Sequence, residues 1–181
     1  MSTHADANFS SADFSALTAS RRSIRAYTDH QIPQDILDAI LKDATTAPSW
    51  SNTRAFRVAL ATGERADRLR EEYVRRFNQT LEIQHHKRFA TIKTALKREL
   101  PDGDFPVWKP YPKELRAPQV EVAKLVYGAY GVERRDYDGR DNANRRNVSA
   151  FNAPVMGFVF VHENMLPWSA MDAGLMLQTL F

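Results

Sequence analysis

Ala47-Pro48-Ser49-Trp50-Ser51-Asn52-Thr53 runs through Arg54 and Ala55 into Phe56-Arg57-Val58-Ala59-Leu60-Ala61-Thr62. In the second part Phe56, Val58 and Leu60 alternate with Arg57, Ala59 and Ala61. That period of two predicts a strand, closed by Gly63. Upstream, Ile36, Leu37, Ile40 and Leu41 recur at helical spacing after Pro33, and Pro48 predicts where that helix ends. Helix, short polar loop and strand follow one another within about thirty residues.

Working outward, residues 1–10 read as a flexible arm of small polar residues. A first helix is expected to start near Ser10, with Asp13 completing an approximate capping box and Phe14 and Leu17 facing inward. From 64 to about 100 the chain is heavily charged, with Leu69, Tyr73, Phe77 and Leu81 at four-residue steps. One long amphipathic helix or two in succession follow from that pattern. Residues 101–118 hold Pro101, Pro106, Pro110, Pro112 and Pro118 and read as a loop excursion. Helix is expected again over 120–130, and a buried strand in the apolar run 153–161. A closing helix over 168–181 is apolar nearly all round, which predicts a central position. Ala170, Gly174, Leu177 and Phe181 share one of its faces, and Met171, Leu175 and Gln178 another. Helices, strand, helices, strand and helix make an α+β layered fold.

Composition narrows the function classes. The 181 residues are 43% apolar and 26% charged, enough for one ordinary domain with a buried core. There are no cysteines, which removes disulfides, thiolate metal sites and cysteine nucleophiles. Residues 1–15 lack an apolar signal core. No stretch approaches the ~18 apolar residues of a membrane span, so a cytoplasmic protein with no membrane partner is the expectation. Basic residues exceed acidic ones by 25 to 22, a net charge of +3. Despite an isoelectric point of about 9.3, that excess does not predict a nucleic-acid footprint.

Two segments carry chemistry. Arg21, Arg22 and Arg25 put three guanidinium groups within five residues, and Ser23 adds a hydroxyl. Guanidinium forks match phosphate oxygens; a helix C-terminus favoured by its dipole accounts for the same residues. In the loop before the strand, Pro48 and Trp50 offer apolar faces to a planar ring, and Ser49 and Asn52 offer hydrogen-bond donors. An ordinary helix-to-strand turn is built from the same residue types.

In this order and spacing, the two segments resemble the nitroreductase family. The residues that carry the likeness are Arg21-Arg22-Ser23-Ile24-Arg25-Ala26-Tyr27, Ile32-Pro33 and Ala47 through Thr53. It continues through Trp108-Lys109-Pro110-Tyr111-Pro112, the helix at 125–132 and Phe151-Asn152-Ala153-Pro154, to Asp172-Ala173-Gly174 with Gln178. The Pro-Tyr-Pro region is similar to the branch of nitroaromatic and nitrobenzoate reductases.

The resemblance implies a three-layer fold with a central, mainly antiparallel sheet flanked by helices, spanning 11–181 as an FMN-binding domain. It implies that Arg21, Arg22, Ser23 and Arg25 bind the FMN phosphate and ribityl chain. Pro48, Ser49, Trp50 and Asn52 would line the isoalloxazine ring from the partner subunit of a homodimer. NADH or NADPH would deliver hydride, and a nitroaromatic, quinone or related small-molecule acceptor would take electrons in the same place, a ping-pong scheme. The flavin carries the chemistry, so no side-chain nucleophile or general acid is required.

Two departures stand out. The family usually continues the loop with Gln-Pro-Trp, where this chain has Arg54, Ala55 and Phe56. Arg54 fits an acidic substrate, the NADPH phosphate or solvent, and solvent is the expectation. Family chains also extend past the central helix with a further strand, helix and tail, so the resemblance implies a chain truncated at the C-terminus. A non-catalytic flavin-binding remnant or interaction module is the alternative from a different class.

Other residues point elsewhere more weakly. Adjacent His85 and His86 face different sides of a helix and do not suggest a metal site. Phe105, Trp108 and Tyr111 suit either a lid over a substrate or packing on the body of the protein. Arg134, Arg135, Arg140, Arg145 and Arg146 alternate with Glu133, Asp136, Asp138 and Asp141, a mixed solvated surface and not a nucleic-acid stripe.

Overall fold

The computed structural model describes residues 10–84, 95–96 and 110–181. The arm at 1–9, His85, His86, Phe105 and Trp108 lie outside the described residues. The chain divides into two compact units. One holds the described part of the first 25 residues with Ile32–Ala59 and Phe158–Phe181. The other holds Ala26–Gln31 and the described residues between Leu60 and Gly157.

In the first unit, α1 (Ser11–Ser20) starts on a complete capping box. The Ser10 N–H donates to Asp13 Oδ2 at 2.9 Å, and the Asp13 N–H donates to Ser10 Oγ at 3.2 Å. Each side chain thereby satisfies an orphan amide of the first turn. The Ser10 N–H and the Ser10 hydroxyl, which donates to the same Asp13 Oδ2 at 2.8 Å, hold the Asp13 carboxyl below the ordinary carboxylate range. Ser10 is therefore the cap of the helix and not the end of a flexible arm. Phe14 and Leu17 correct the sequence expectation: they are 68% and 69% exposed, and α1 buries no residue.

Pro33, with its fixed φ, occupies the N-cap of α2 (Gln34–Ala44). The helix stops four residues before Pro48. The Thr45 and Thr46 hydroxyls donate back to the Lys42 and Asp43 carbonyls at 2.6 and 2.7 Å and close the last turn. Helix α2 packs on α6 (Trp168–Leu180). Ala44, Ala47 and Met176 form the core there, with Phe56, Val58, Val159, Leu177 and Leu180 packed against it. The buried stripe of α6 is Ser169, Asp172, Ala173 and Met176. That i, i+3, i+4, i+7 face differs from both faces expected from the sequence.

The strands β1 (Phe56–Thr62) and β2 (Val155–Val161) pair in a two-stranded sheet. The His162 N–H donates to the Ala55 carbonyl at 3.0 Å and closes one end of the antiparallel ladder. Although β2 reads as a continuous apolar run, Met156 is its one fully buried residue and Phe160 is 60% exposed. Val159 packs on the core while its neighbour turns to the opposite face. The α+β class follows from these elements.

The second unit is built on α3 (Gly63–Gln84), which leaves β1 through Gly63 at a φ of 51°. Helix α4 (Arg116–Ala129) starts earlier than the sequence suggests, inside the stretch read as a loop to residue 118. Pro118 lies in its first turn, where a missing N–H costs nothing. Helix α5 (Tyr137–Val148) is capped by Asp136, whose Oδ1 accepts the Gly139 N–H at 2.7 Å. It packs on α3, where Arg145 Nε donates to Asn78 Oδ1 at 3.0 Å. Arg140 lies over the rings of Tyr127 and Tyr137 at 5.7 and 5.8 Å, and Arg146 over Tyr130 at 4.8 Å. These guanidiniums serve intramolecular cation–π contacts.

Candidate functional site

All eight residues singled out as a flavin site, Arg21, Arg22, Ser23, Arg25, Pro48, Ser49, Trp50 and Asn52, fall in the first unit. The loop is a strained structure. Ser49 is extended, and Trp50–Asn52 then form one 3-10 turn in which Ser51 and Asn52 hold φ angles of 50° and 55°. Arg54 follows at 45°. A non-glycine residue in this left-handed region costs about 1–3 kcal/mol, least for Asn. The turn is therefore held by its bonds. The Asn52 N–H donates to the Ser49 carbonyl at 3.1 Å and the Thr53 N–H to the Trp50 carbonyl at 3.0 Å. Thr53 Oγ1 donates to the Trp50 carbonyl at 2.8 Å, and the Arg54 N–H donates to Ser49 Oγ at 3.3 Å.

Helix α6 supplies the tertiary restraints. The Trp50 N–H donates to both oxygens of Asp172, at 3.0 and 3.1 Å. The indole of Trp50 stacks on that of Trp168, with centroids 4.5 Å apart and planes inclined by 18°. Sequence reasoning gave no role to Asp172 or Trp168. The signal was present: Asp172 is the one charged residue of the terminal apolar segment.

The basic segment follows directly on α1. Arg21 leaves helical geometry at φ −55° and ψ 133°. Its Nη1 donates to Ser23 Oγ at 3.2 Å; Arg22 Nη1 donates to the Ala19 and Arg21 carbonyls, and Arg25 Nη1 to the Ser23 carbonyl at 3.3 Å. All four side chains are exposed. Among the described residues, no carboxylate lies within ion-pair distance of these three arginines. A guanidinium has five N–H donors, so this set keeps unused donors and uncompensated charge. Such a donor set fits a phosphate dianion.

Arg54 is exposed, and with Phe56, Arg57, Phe160 and His162 it lines an open cleft of about 450 Å³. Tyr111, the described member of the aromatic trio, is exposed. Among the described residues no cluster of His, Asp and Glu suits a metal ion, and no helix is long and apolar enough to cross a membrane.

A sequence model of the nitroreductase family matches residues 18–181, and the chain belongs to that family. It is 31% identical over 169 residues to a 4-nitrobenzoate reductase of Pseudomonas putida, covering 93% of this chain and 66% of that protein. It is 32% identical over 168 residues to a 4-nitrobenzoate reductase of a Nocardioides species, covering 92% and 62%. Among solved structures, the FMN-dependent nitroreductase NfnB of Mycobacterium smegmatis, in complex with NADPH, superposes with a TM-score of 0.75. The identity there is 26%, over 92% of this chain and 67% of the other. The chain thus spans about two thirds of the length of the curated relatives it matches.

Proposed function

We propose that the protein is an FMN-dependent oxidoreductase that uses NADPH or NADH to reduce nitroaromatic acceptors. Quinones are a further acceptor class, and the two half-reactions alternate at one place. The observation that carries this reading is the exposed set Arg21, Arg22 and Arg25, which lacks a carboxylate partner among the described residues and shares a unit with the Trp50–Asn52 turn. Family membership supports it, as do relatives named as nitrobenzoate reductases and as an FMN-dependent enzyme.

When bound, FMN supplies the redox chemistry, taking hydride from the nicotinamide and giving electrons to the acceptor. The chain's residues bind and orient. Arg21, Arg22 and Arg25 hold the phosphate, with Ser23 adding a hydroxyl. Pro48 and Trp50 give apolar edges to the ring. Ser49 Oγ accepts from the Arg54 amide, which leaves its own O–H to donate to the ring. The Asn52 carboxamide is a second donor.

A homodimer, with the loop of one subunit serving the flavin of the other, is part of the same proposal. Phe14, Leu17, Met171 and Leu175 are among the exposed apolar side chains available for such an interface. The test is direct. Purified protein is expected to show the flavin visible spectrum or acquire it with added FMN, and then to oxidise NAD(P)H with 4-nitrobenzoate present. Protein that neither carries nor takes up FMN would refute the reading.

A further inference from the structure

Asp172 is the fifth residue of α6 and is 1% exposed. A polar side chain buried on an apolar helix is costly unless it is hydrogen-bonded, and packing alone would be served better by an apolar residue. Both Asp172 oxygens accept one donor, the Trp50 N–H, from a residue 122 positions away. That amide opens the turn in which Ser51 and Asn52 are left-handed, a conformation that persists only where the surroundings over-determine it. One helical turn before Asp172, Trp168 stacks on the Trp50 ring. Between them the buried Ser169 hydroxyl donates to the His162 carbonyl at 3.0 Å and ties the start of α6 to the end of β2. The backbone and the side chain of Trp50 are thus both held from one fixed helix end.

We propose that Asp172 is a positioning residue: by gripping the Trp50 amide it fixes the left-handed turn, and with it the placement of Ser49 and Asn52. The inference rests on the reading of Pro48–Asn52 as the ring side of a flavin site. Asp172 acts through the backbone of Trp50. Its loss therefore disturbs indole stacking and flavin affinity together.

Two measurements test this. Circular dichroism reads the exciton signal of the stacked indoles, taken as wild type minus Trp168→Phe. Quenching of flavin fluorescence reads FMN affinity. Asp172→Ala is expected to abolish most of the exciton signal and to weaken FMN binding at least tenfold. Asp172→Asn, whose carbonyl oxygen still accepts the Trp50 N–H, is expected to keep the signal and to bind FMN within threefold of wild type. A folded Asp172→Ala protein that keeps the exciton signal, or binds FMN within threefold of wild type, overturns the proposal. Should Asp172→Ala fail to fold, Asp172→Asn decides: a folded Asp172→Asn protein that keeps the exciton signal yet loses more than tenfold in FMN affinity overturns it, because the grip on the Trp50 amide then does not set flavin binding. Wild-type protein that takes up no FMN defeats the flavin reading instead, and the exciton signal alone then judges whether Asp172 holds Trp50.

Discussion

The carbonyl oxygens of Ser149 and Ala153 both accept from Arg70, the first from Nε at 3.2 Å and the second from Nη2 at 2.7 Å. Between them, Ala150, Phe151 and Asn152 hold φ angles of 51°, 53° and 60°. The turn before β2 is thus left-handed like the turn before β1, and each is pinned by a distant charged side chain. Asp172 grips an amide at the first, and Arg70 grips carbonyls at the second.

Removing that guanidinium should unlock the second turn. Arg70→Leu is expected to cost about 3 kcal/mol, since each hydrogen bond to a charged group contributes roughly 1.5–3 kcal/mol. Arg70→Lys should recover only part, because an ammonium cannot span two carbonyls as a planar fork does. Urea unfolding checks this; a midpoint unchanged in both variants would show that the turn holds itself.

The stacked indoles should be energetically coupled. Trp50→Ala and Trp168→Ala are each expected to destabilise the protein, with a coupling of about 0.5–1.5 kcal/mol in the double-mutant cycle. Strict additivity in denaturant unfolding would mean that the stack contributes no net stability.

Phosphate binding should depend on individual arginines. Arg21→Ala and Arg25→Ala are each expected to weaken FMN binding by ~1.5–3 kcal/mol, the contribution of one charge-assisted hydrogen bond. Flavin titration measures it, and unchanged affinity in both variants moves the phosphate elsewhere.

An acid-side effect should arise on α3. Hydrogen bonds from Arg75 and then Arg76 pull the Glu72 carboxyl from its ordinary 4.5 down to about 2. A depressed folded-state value contributes stability above the unfolded value and loses it as pH falls through the folded one. The stability difference between wild type and Glu72→Gln should therefore be constant above 4.5 and shrink between 4.5 and about 2. Because these side chains are exposed, salt should shrink it too. A difference that does not change across that window would show that the pair does not act in solution.

Much was legible locally. The β1 bounds, Phe56–Thr62, coincide with the alternating pattern, and the Ser10–Asp13 box forms as written because a cap needs only four consecutive residues. Exposure was less legible. Phe14, Leu17 and Phe160 read as core and are exposed, because periodicity identifies an apolar face and not what covers it. The end of α2 was misplaced by a few residues because threonine hydroxyls closed the helix before Pro48 did.

By itself, then, the sequence determined the family and the local elements and singled out the two segments proposed to carry chemistry, since each depends on neighbours a few residues apart. Tertiary structure alone decided how the loop is held. Nothing near Trp50 in the chain foretells that Asp172 takes its amide or that Trp168 stacks on its ring. Those contacts exist because α6 packs against α2 and buries the stripe that carries Asp172. Only packing across more than a hundred residues brings a buried acceptor to a strained turn.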